Sequence, residues 1–431
     1  MRQSVAIADS GFSRFNSLMF RVESTARSKS DLSGPKRACL LLASFLFALI
    51  GCDARIEQFE PNRVFTLALA KSRSIPTEPA SEDVSQSLEV LFGTPNEPQW
   101  PEQLLAEEGT EDLVDVERLR RAAGPVSSGK DGTHRGLFRE HCVVCHALEG
   151  SGAGPASQFQ DPYPRDFRHG VFKWKRTVRG AKPTKQDLRD LLTRGVPGTG
   201  MPSFALLSPD DLDALVDYVI YLSVRGETER RLLVGAVDEL DYGDTVPEDD
   251  FRIRYPADSE GAGLIEDTVV RVAGQWDAAE SRLVEVPEPP DLDAEEMAAS
   301  IERGKKFFHG QIANCVGCHG ASGNGAVVIL DYDDWTKDYT TRLGLTPSDR
   351  EAMQPFRDVG ALRPRPIKPR NLQKGVFRGG GGGPDLYCRI TQGIAGTPMP
   401  AVSVVDQANG KGLTAAQIWD LVHYVQSLGR E

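Results

Sequence analysis

Two stretches of the chain place apolar residues every three or four positions, as one face of an α-helix does. They are Leu212, Leu215, Val216, Val219 and Leu222 in the first stretch and Ile418, Leu421, Val422, Val425 and Leu428 in the second. Each stretch also has a start signal. Ser208 is an N-cap residue followed by Pro209, and Thr414 with Gln417 forms a capping-box pattern. We therefore predict two amphipathic helices, each closing a similar structural unit.

The chain is organised around an internal repeat. Residues 131–226 and residues 301–431 match in order and in chemistry. The matched segments are Cys142–His146 with Cys315–His319, Pro164–Phe172 with Pro369–Phe377, and Gly195–Pro202 with Gly393–Pro400. The second repeat is longer, mainly between His319 and Pro369, and we expect the additional residues, including Asp331–Trp335, in surface loops.

Three segments lie outside the repeats. In residues 1–51, Lys36 and Arg37 directly precede a thirteen-residue apolar run, which is typical of a signal peptide and too short to cross a bilayer. Residues 52–130 form a polar N-terminal extension without strong periodicity. Residues 227–300 are rich in acidic residues, since residues 226–300 hold 21 Asp and Glu against 6 Lys and Arg. We interpret 227–300 as an acidic, largely irregular linker.

The apolar run ends in Leu49-Ile50-Gly51-Cys52, which resembles the lipobox of bacterial lipoproteins. In that family the cysteine is lipidated and becomes the first mature residue. The resemblance implies lipidation of Cys52 and a protein tethered to a membrane by its lipid anchor. An ordinary signal peptide and a buried apolar segment are the alternatives. We expect an exported protein on the periplasmic side of the cytoplasmic membrane.

Composition narrows the possible functions. The 431 residues are 40% hydrophobic and 26% charged, as in a globular protein, and the net charge of −12 gives no indication of a nucleic-acid partner. The seven cysteines include two close pairs that lie far apart in the chain. This spacing indicates two separate cofactor or metal sites rather than a disulfide framework.

Each close pair belongs to a Cys-x-x-Cys-His motif, the haem-attachment signature. Two thiols three residues apart can reach both vinyl groups of one porphyrin, and the adjacent imidazole then points at the iron. The four cysteines are Cys142, Cys145, Cys315 and Cys318, and the two histidines are His146 and His319. Structural zinc would need two further ligands at each site, and a thiol redox site would need a βαβ setting that this chain does not indicate.

Two methionines occupy equivalent positions downstream of these motifs. Met201 and Met399 each follow Gly-Thr-x, precede a proline, and lie in a loop after a helix that we expect to end at Gly195 or Gly393. Such a methionine is otherwise a common core filler. The matched placement indicates axial ligands, and His/Met ligation raises the reduction potential of a haem.

Both repeats resemble class I cytochrome c domains, over about 225 residues in all. The resemblance implies an all-α fold with two tandem small helical domains and two covalently attached haem c groups. It implies proximal ligands at His146 and His319 and distal ligands at Met201 and Met399. Gly154-Pro155 resembles the family's Gly-Pro, whose proline carbonyl accepts the imidazole N–H, and the second repeat has Gly325-Ala326 instead.

Matched arginines follow a proline in both repeats. Arg165 and Arg370 are candidates for hydrogen bonds to the haem propionates, because guanidinium suits carboxylates, and surface charges are the alternative. Further basic residues lie nearby: Arg168, Lys173, Lys175, Arg176, Arg179, Lys374 and Arg378. We assign them to a solvated face, with steering of an acidic redox partner as the alternative.

These features together predict an electron carrier and not an enzyme. Two irons, each with a histidine and a methionine ligand, leave no coordination site for a substrate. We therefore expect outer-sphere single-electron transfer between redox partner proteins, with a respiratory chain as the setting and with unknown donor and acceptor. A di-haem peroxidase and the haem subunit of a larger oxidase or dehydrogenase are the alternatives.

Overall fold

The computed structural model describes residues 57–128, 134–407 and 410–429, and within them the chain is almost entirely helical. The helices are α1 (Arg63–Arg73), α2 (Glu78–Phe92), α3 (Glu102–Leu105), α4 (Val116–Ala122), α5 (Leu137–His141), α6 (Val143–His146), α7 (Lys185–Arg194), α8 (Pro209–Glu239), α9 (Glu260–Asp277), α10 (Ala294–His309), α11 (Val316–His319), α12 (Asp334–Asp338), α13 (Arg350–Asp358), α14 (Gly383–Gln392) and α15 (Ala415–Ser427). The described strands are one antiparallel pair, β1 (Ser127–Ser128) and β2 (His134–Arg135). The predicted all-α class is confirmed.

The closing helix of the first repeat is longer than its sequence pattern predicted. α8 begins as expected, because the Ser208 hydroxyl accepts a hydrogen bond from the Asp211 N–H at 3.1 Å. It then continues for 31 residues to Glu239, well beyond the predicted boundary at residue 226. Its apolar residues are buried almost all round, so α8 is the central helix against which several others pack.

The interpretation of residues 227–300 as a largely irregular linker is wrong. This stretch contains the end of α8, all of α9 and the beginning of α10. In α9 the side chains of Ile265, Val269, Val272 and Trp276 are buried and recur at helical spacing. The high acidic content concealed this pattern. One of the acidic residues, Glu227, is itself buried, where it accepts hydrogen bonds from Lys182 at 2.5 Å and from the Trp276 indole at 3.2 Å.

The N-terminal extension is also folded, in contrast to its weak periodicity. Helices α1 to α4 pack around α8 and α9 and share the larger apolar core with the first repeat. The Tyr221 hydroxyl donates to the Phe92 carbonyl at 2.5 Å. The Asp83 carboxylate accepts hydrogen bonds from Tyr242 at 2.7 Å and from Arg252 at 2.7 and 2.8 Å. These partners lie more than 100 residues apart in sequence, so no local pattern could reveal them.

The second repeat has a smaller core in which α10 crosses α15. The crossing is close at Gly304, where a Cβ atom would lie 2.0 Å from the Asp420 carbonyl oxygen. Beside it the rings of Phe308 and Tyr424 pack edge to face at 5.3 Å. α15 has the predicted capping box between Thr414 and Gln417.

We expected the additional residues of the second repeat in surface loops, but not all of them lie there. Trp335 lies against the first repeat, with the Arg165 guanidinium 4.0 Å and the Lys173 ammonium 4.6 Å from its ring centroid. The Lys173 ammonium also lies 3.0 Å from the Asp333 carboxylate. The insertion therefore joins the two repeats, and all described residues belong to one compact unit.

Cys52 and the apolar run before it lie outside the described residues. Among residues that the structure describes, no helix combines the length and the apolar character needed to cross a membrane.

Candidate haem-binding site

Each Cys-x-x-Cys-His motif forms a single helical turn. In the first repeat the backbone N–H of His146 donates to the Cys142 carbonyl at 2.8 Å. In the second repeat the backbone N–H of His319 donates to the Cys315 carbonyl at the same distance. A single turn places the two thiols of each motif three residues apart with the imidazole beside them. All four cysteines are free of disulfide bonds.

The proximal imidazoles are oriented by backbone carbonyls. Nδ1 of His146 lies 3.0 Å from the Arg165 carbonyl oxygen, and Nδ1 of His319 lies 3.0 Å from the Arg370 carbonyl oxygen. Because a carbonyl can only accept, Nδ1 carries the proton in both rings. The lone pair of Nε2 is then free to bind a metal ion.

The expected carbonyl of Pro155 is therefore not the acceptor. The segment around Pro155 is held beneath α6, where the N–H groups of Gly154 and Ala156 donate to the carbonyls of Cys145 and Val144. The residue that approaches the accepting carbonyl is Gly152, whose Cβ would lie 2.9 Å from the Arg165 oxygen. Gly325 has the same relation to Arg370, at 3.0 Å. The structural counterpart of Gly325 is thus Gly152 and not Gly154.

Burial sets the protonation of both motifs. It lowers the pKa of His146 to about 4 and also lowers the pKa of His319, so both imidazoles are neutral at pH 7. Burial raises the pKa of Cys142 and that of Cys315 to about 12. These thiols therefore lack the thiolate character that a thiol redox site requires.

The first methionine lies in a loop closed by its own backbone. α7 starts at a capping box between Thr184 and Asp187 and ends at Gly195, whose φ is +66°. The Val196 N–H then donates to the Met201 carbonyl at 3.1 Å. The Thr199 hydroxyl both donates to the Val196 carbonyl, at 2.7 Å, and accepts from the Met201 N–H, at 3.1 Å.

The second methionine loop repeats this arrangement. α14 ends at Gly393, whose φ is +65°. The Ile394 N–H donates to the Met399 carbonyl at 3.3 Å. The Thr397 hydroxyl donates to the Ile394 carbonyl at 2.9 Å and accepts from the Met399 N–H at 3.3 Å. The shared threonine explains why both loops contain Gly-Thr-x before methionine.

One cavity of about 770 Å³ brings the two sets of residues together. Its lining includes all eight candidate attachment and axial residues: Cys142, Cys145, His146, Met201, Cys315, Cys318, His319 and Met399. The remaining walls are mainly apolar side chains. Each half thus offers two thiols, a neutral imidazole nitrogen and a thioether in an apolar environment, and this donor set fits a covalently bound haem.

The matched arginines also line the cavity. Arg165 and Arg370 extend from the segments whose carbonyls hold the imidazoles, and burial lowers the pKa of Arg165 to about 10, so its guanidinium stays charged at pH 7. The Arg370 Nε–H donates to the Val376 carbonyl at 2.9 Å. Arginine side chains in an otherwise apolar cavity are suited to anionic groups of a ligand.

Several basic residues that we assigned to a solvated face are not on one. Lys173 and Arg378 line the cavity, and Arg179 lies between the repeats. Burial lowers the pKa of Lys173 to about 8. Arg389, which we did not predict as part of the site, also lines the cavity and donates to the Arg378 carbonyl at 2.6 Å. Its position one turn from Asp385 on α14 gave no distinctive signal.

A model of the cytochrome c family matches residues 135–223 and 301–429, together about half of the chain. The chain belongs to the cytochrome c family. The two matched segments confirm two tandem cytochrome c domains, here called domain 1 and domain 2. This cytochrome c carries two haem c groups, and haem supplies the family with a ferric/ferrous couple for electron transfer.

Two known proteins are similar to part of this cytochrome c. It is 35% identical to the Cbb3-type cytochrome c oxidase subunit CcoP of Azospirillum sp. (strain B510) over 95 residues, which are 21% of this chain and 29% of that relative. The chain thus spans less than a third of the relative's length. A chain of the reducing HAO-like protein complex of Kuenenia stuttgartiensis is 24% identical, with a TM-score of 0.43 over 70% of this chain and 98% of that one.

Proposed function

We propose that this cytochrome c is an electron carrier in which each haem iron is held between a histidine and a methionine. His146 and Met201 would hold the iron in domain 1, and His319 and Met399 the iron in domain 2. Both imidazoles present a free Nε2, and both methionine loops have the same hydrogen bonds. With both axial positions taken, neither iron has a place for a substrate.

The continuous cavity is the observation that carries this proposal. Residues of both domains line it, so the two sets of ligands face one shared cavity. An electron that enters at one domain could therefore pass to the other inside the same folded unit. A peroxidatic haem must open a coordination site, and the matched, hydrogen-bonded methionine loops of both domains count against that.

A spectrum of the purified protein tests the ligation. We expect two haems per chain in the pyridine haemochrome assay and a ferric methionine–sulfur absorption band from both irons. Met399→Ala should remove about half of that band, since one of two sulfur ligands is lost. Met297→Ala is the matched control, because Met297 does not line the cavity. An unchanged band in Met399→Ala would refute the assignment in domain 2.

We further propose that the protein is exported and anchored on the periplasmic side of the cytoplasmic membrane through a lipid on Cys52. The signal-like segment and the lipobox-like sequence support this location. Replacing Cys52 by serine should release haem-loaded protein from washed membranes into the soluble fraction. Retention of the variant on the membrane would contradict lipid anchoring.

A second candidate is a haem subunit in a larger respiratory oxidase. The likeness to CcoP, which is named as an oxidase subunit, supports it over 95 residues. Mild-detergent purification of the tagged protein from its own cells distinguishes the two. Stoichiometric co-purification of oxidase subunits favours the complex, and isolated di-haem protein favours the carrier. Peroxide turnover by the isolated protein would point instead to a di-haem peroxidase.

A further inference from the structure

The Met399 loop of domain 2 is held by a side chain of domain 1. Nη1 of Arg179 donates to the Met399 carbonyl at 2.8 Å and to the Gln392 carbonyl at 3.3 Å. Its Nη2 donates to the Thr397 carbonyl at 3.0 Å. The planar guanidinium thus joins the end of α14 to the loop residue that carries the thioether.

The backbone at Arg179 is itself held by hydrogen bonds to the segment after α9 and to domain 2. The Val178 N–H donates to the Arg282 carbonyl at 2.9 Å, and the Arg179 N–H donates to the Gln392 side-chain oxygen at 3.3 Å. The guanidinium packs tightly on Gly393, where a Cβ atom would lie 2.4 Å from Nη1. A side chain with its base fixed and its head against a glycine has little freedom to move, so it can hold the loop in one position.

The two methionine loops differ in this contact. Their internal hydrogen bonds are equivalent, but the Ile394 bond to the Met399 carbonyl, at 3.3 Å, is longer than the Val196 bond to the Met201 carbonyl, at 3.1 Å. The described hydrogen bond from domain 2 to the Met201 loop is made by Arg378 to the Gly198 carbonyl at 3.3 Å. That contact is at the tip of the loop, three residues before Met201. In domain 2, by contrast, an arginine of domain 1 donates a hydrogen bond to the methionine residue itself.

We propose that Arg179 is a positioning residue for Met399, so that methionine ligation in domain 2 depends on domain 1. This inference rests on the proposed His/Met ligation. Without the guanidinium, the Met399 carbonyl keeps one long hydrogen bond, and the loop can move away from the cavity. The Met201 loop does not depend on Arg179 and should keep its position.

A Met201→Ala background isolates the second domain, because the remaining methionine–sulfur band then comes from Met399 alone. In that background we expect Arg179→Ala either to lack the band or to lose it, as imidazole is added, at about tenfold lower concentration than Met201→Ala alone. A tenfold change is the size expected when a hydrogen bond to a charged group is lost. Arg179→Lys keeps the charge but not the planar guanidinium that donates to two loop carbonyls, and we expect an intermediate imidazole sensitivity. Arg194→Ala is the matched control, since Arg194 pairs with Asp385 across the domains at 3.7 Å and does not contact the loop.

The outcomes separate this inference from the function on which it rests. If folded, haem-loaded Met201→Ala has no methionine–sulfur band, the proposed ligation in domain 2 fails, and the inference fails with it. If that band is present and resists imidazole equally with and without Arg179, only the inference is overturned. Equal weakening by Arg194→Ala would also overturn it, because the effect would then come from general loosening between domains. If Arg179→Ala does not fold, Arg179→Lys decides by the same titration.

Discussion

The Arg165 carbonyl accepts a hydrogen bond from Nδ1 of His146 at 3.0 Å, and this contact fixes the tautomer of the proximal imidazole. Gly152, which has a φ of +70°, packs directly against this carbonyl. A Cβ atom on Gly152 would lie 2.7 Å from the Pro164 oxygen and 2.9 Å from the Arg165 oxygen. The orientation of the histidine therefore depends on a glycine six positions along the chain.

Gly152→Ala should therefore change the potential of the haem in domain 1. The methyl group would push the Arg165 carbonyl away from His146 and weaken a hydrogen bond that makes the imidazole more basic. A less basic ligand stabilises the ferric state less, so we expect that midpoint potential to rise in spectroelectrochemical titration, with the domain 2 potential unchanged. Gly263→Ala is the control, because a methyl group there has no neighbour within 4 Å. An unchanged or lower domain 1 potential would contradict the expectation.

Two glycines in helices should respond in opposite directions to alanine. Gly304→Ala would place Cβ 2.0 Å from the Asp420 carbonyl oxygen, where α10 crosses α15. We expect a loss of about 2 kcal/mol in the free energy of unfolding, as in overpacked cores. Gly274 on α9 has open space around its Cβ position, so Gly274→Ala should stabilise by about 0.5–1 kcal/mol through helix propensity. Urea denaturation of both variants measures the two changes in the free energy of unfolding. Destabilisation by Gly274→Ala would refute the prediction for α9.

The local signals in the sequence were sufficient for the elements that hold the ligands. The apolar spacing of α15 and its Thr414–Gln417 capping box depend on neighbours within one or two turns, so they can be recognised in a single sequence. The glycines that end α7 and α14 are equally local, since a positive φ favours glycine. These elements were predicted with their correct start or end.

The helices outside the repeats depend on distant partners instead. Asp83 in α2 pairs with Arg252, 169 residues later, and neither residue is distinctive alone. The acidic composition of 227–300 suggested an extended linker, although Glu227 is buried against Lys182. In the site, the attachment motifs and methionines were found because they repeat. The family resemblance implied the Pro155 carbonyl as the acceptor for His146, and backbone acceptors carry no sequence signature that could have indicated Arg165 instead.

Trp335→Ala should weaken the association of the two domains. The indole packs on Gly396 of its own domain, where a Cβ atom would lie 2.7 Å from the ring, and the Arg165 guanidinium of domain 1 lies 4.0 Å from its ring centroid. Loss of this half-buried ring should cost about 2 kcal/mol in the free energy of unfolding. Trp335→Phe keeps an aromatic face and should cost less than half as much. Guanidinium denaturation measures the free energy of unfolding of both variants. Equal losses in the two variants would show that the aromatic contact does not account for the stabilisation.

His169 should make the protein less stable in mild acid. Its ring nitrogens lie 3.7 Å from the carboxylates of Asp166 and Asp338, yet burial and the nearby Arg230 guanidinium hold its pKa well below 6.5. The unfolded chain takes up a proton on this histidine below about pH 6.5, and the folded chain does not. Folded protein therefore binds fewer protons, and the free energy of unfolding falls as the pH decreases through that range.

His169→Gln removes this titration and should flatten the pH dependence. Between pH 7.5 and pH 5 we expect the variant to lose about 1 kcal/mol less of its free energy of unfolding than the parent protein, the scale of one pKa unit. His309→Gln, at an exposed histidine, is the control for the loss of a histidine side chain. Urea denaturation at both pH values measures the difference. A variant with the same loss as the parent would mean that His169 is protonated in the folded state, with Asp166 and Asp338 outweighing burial and Arg230.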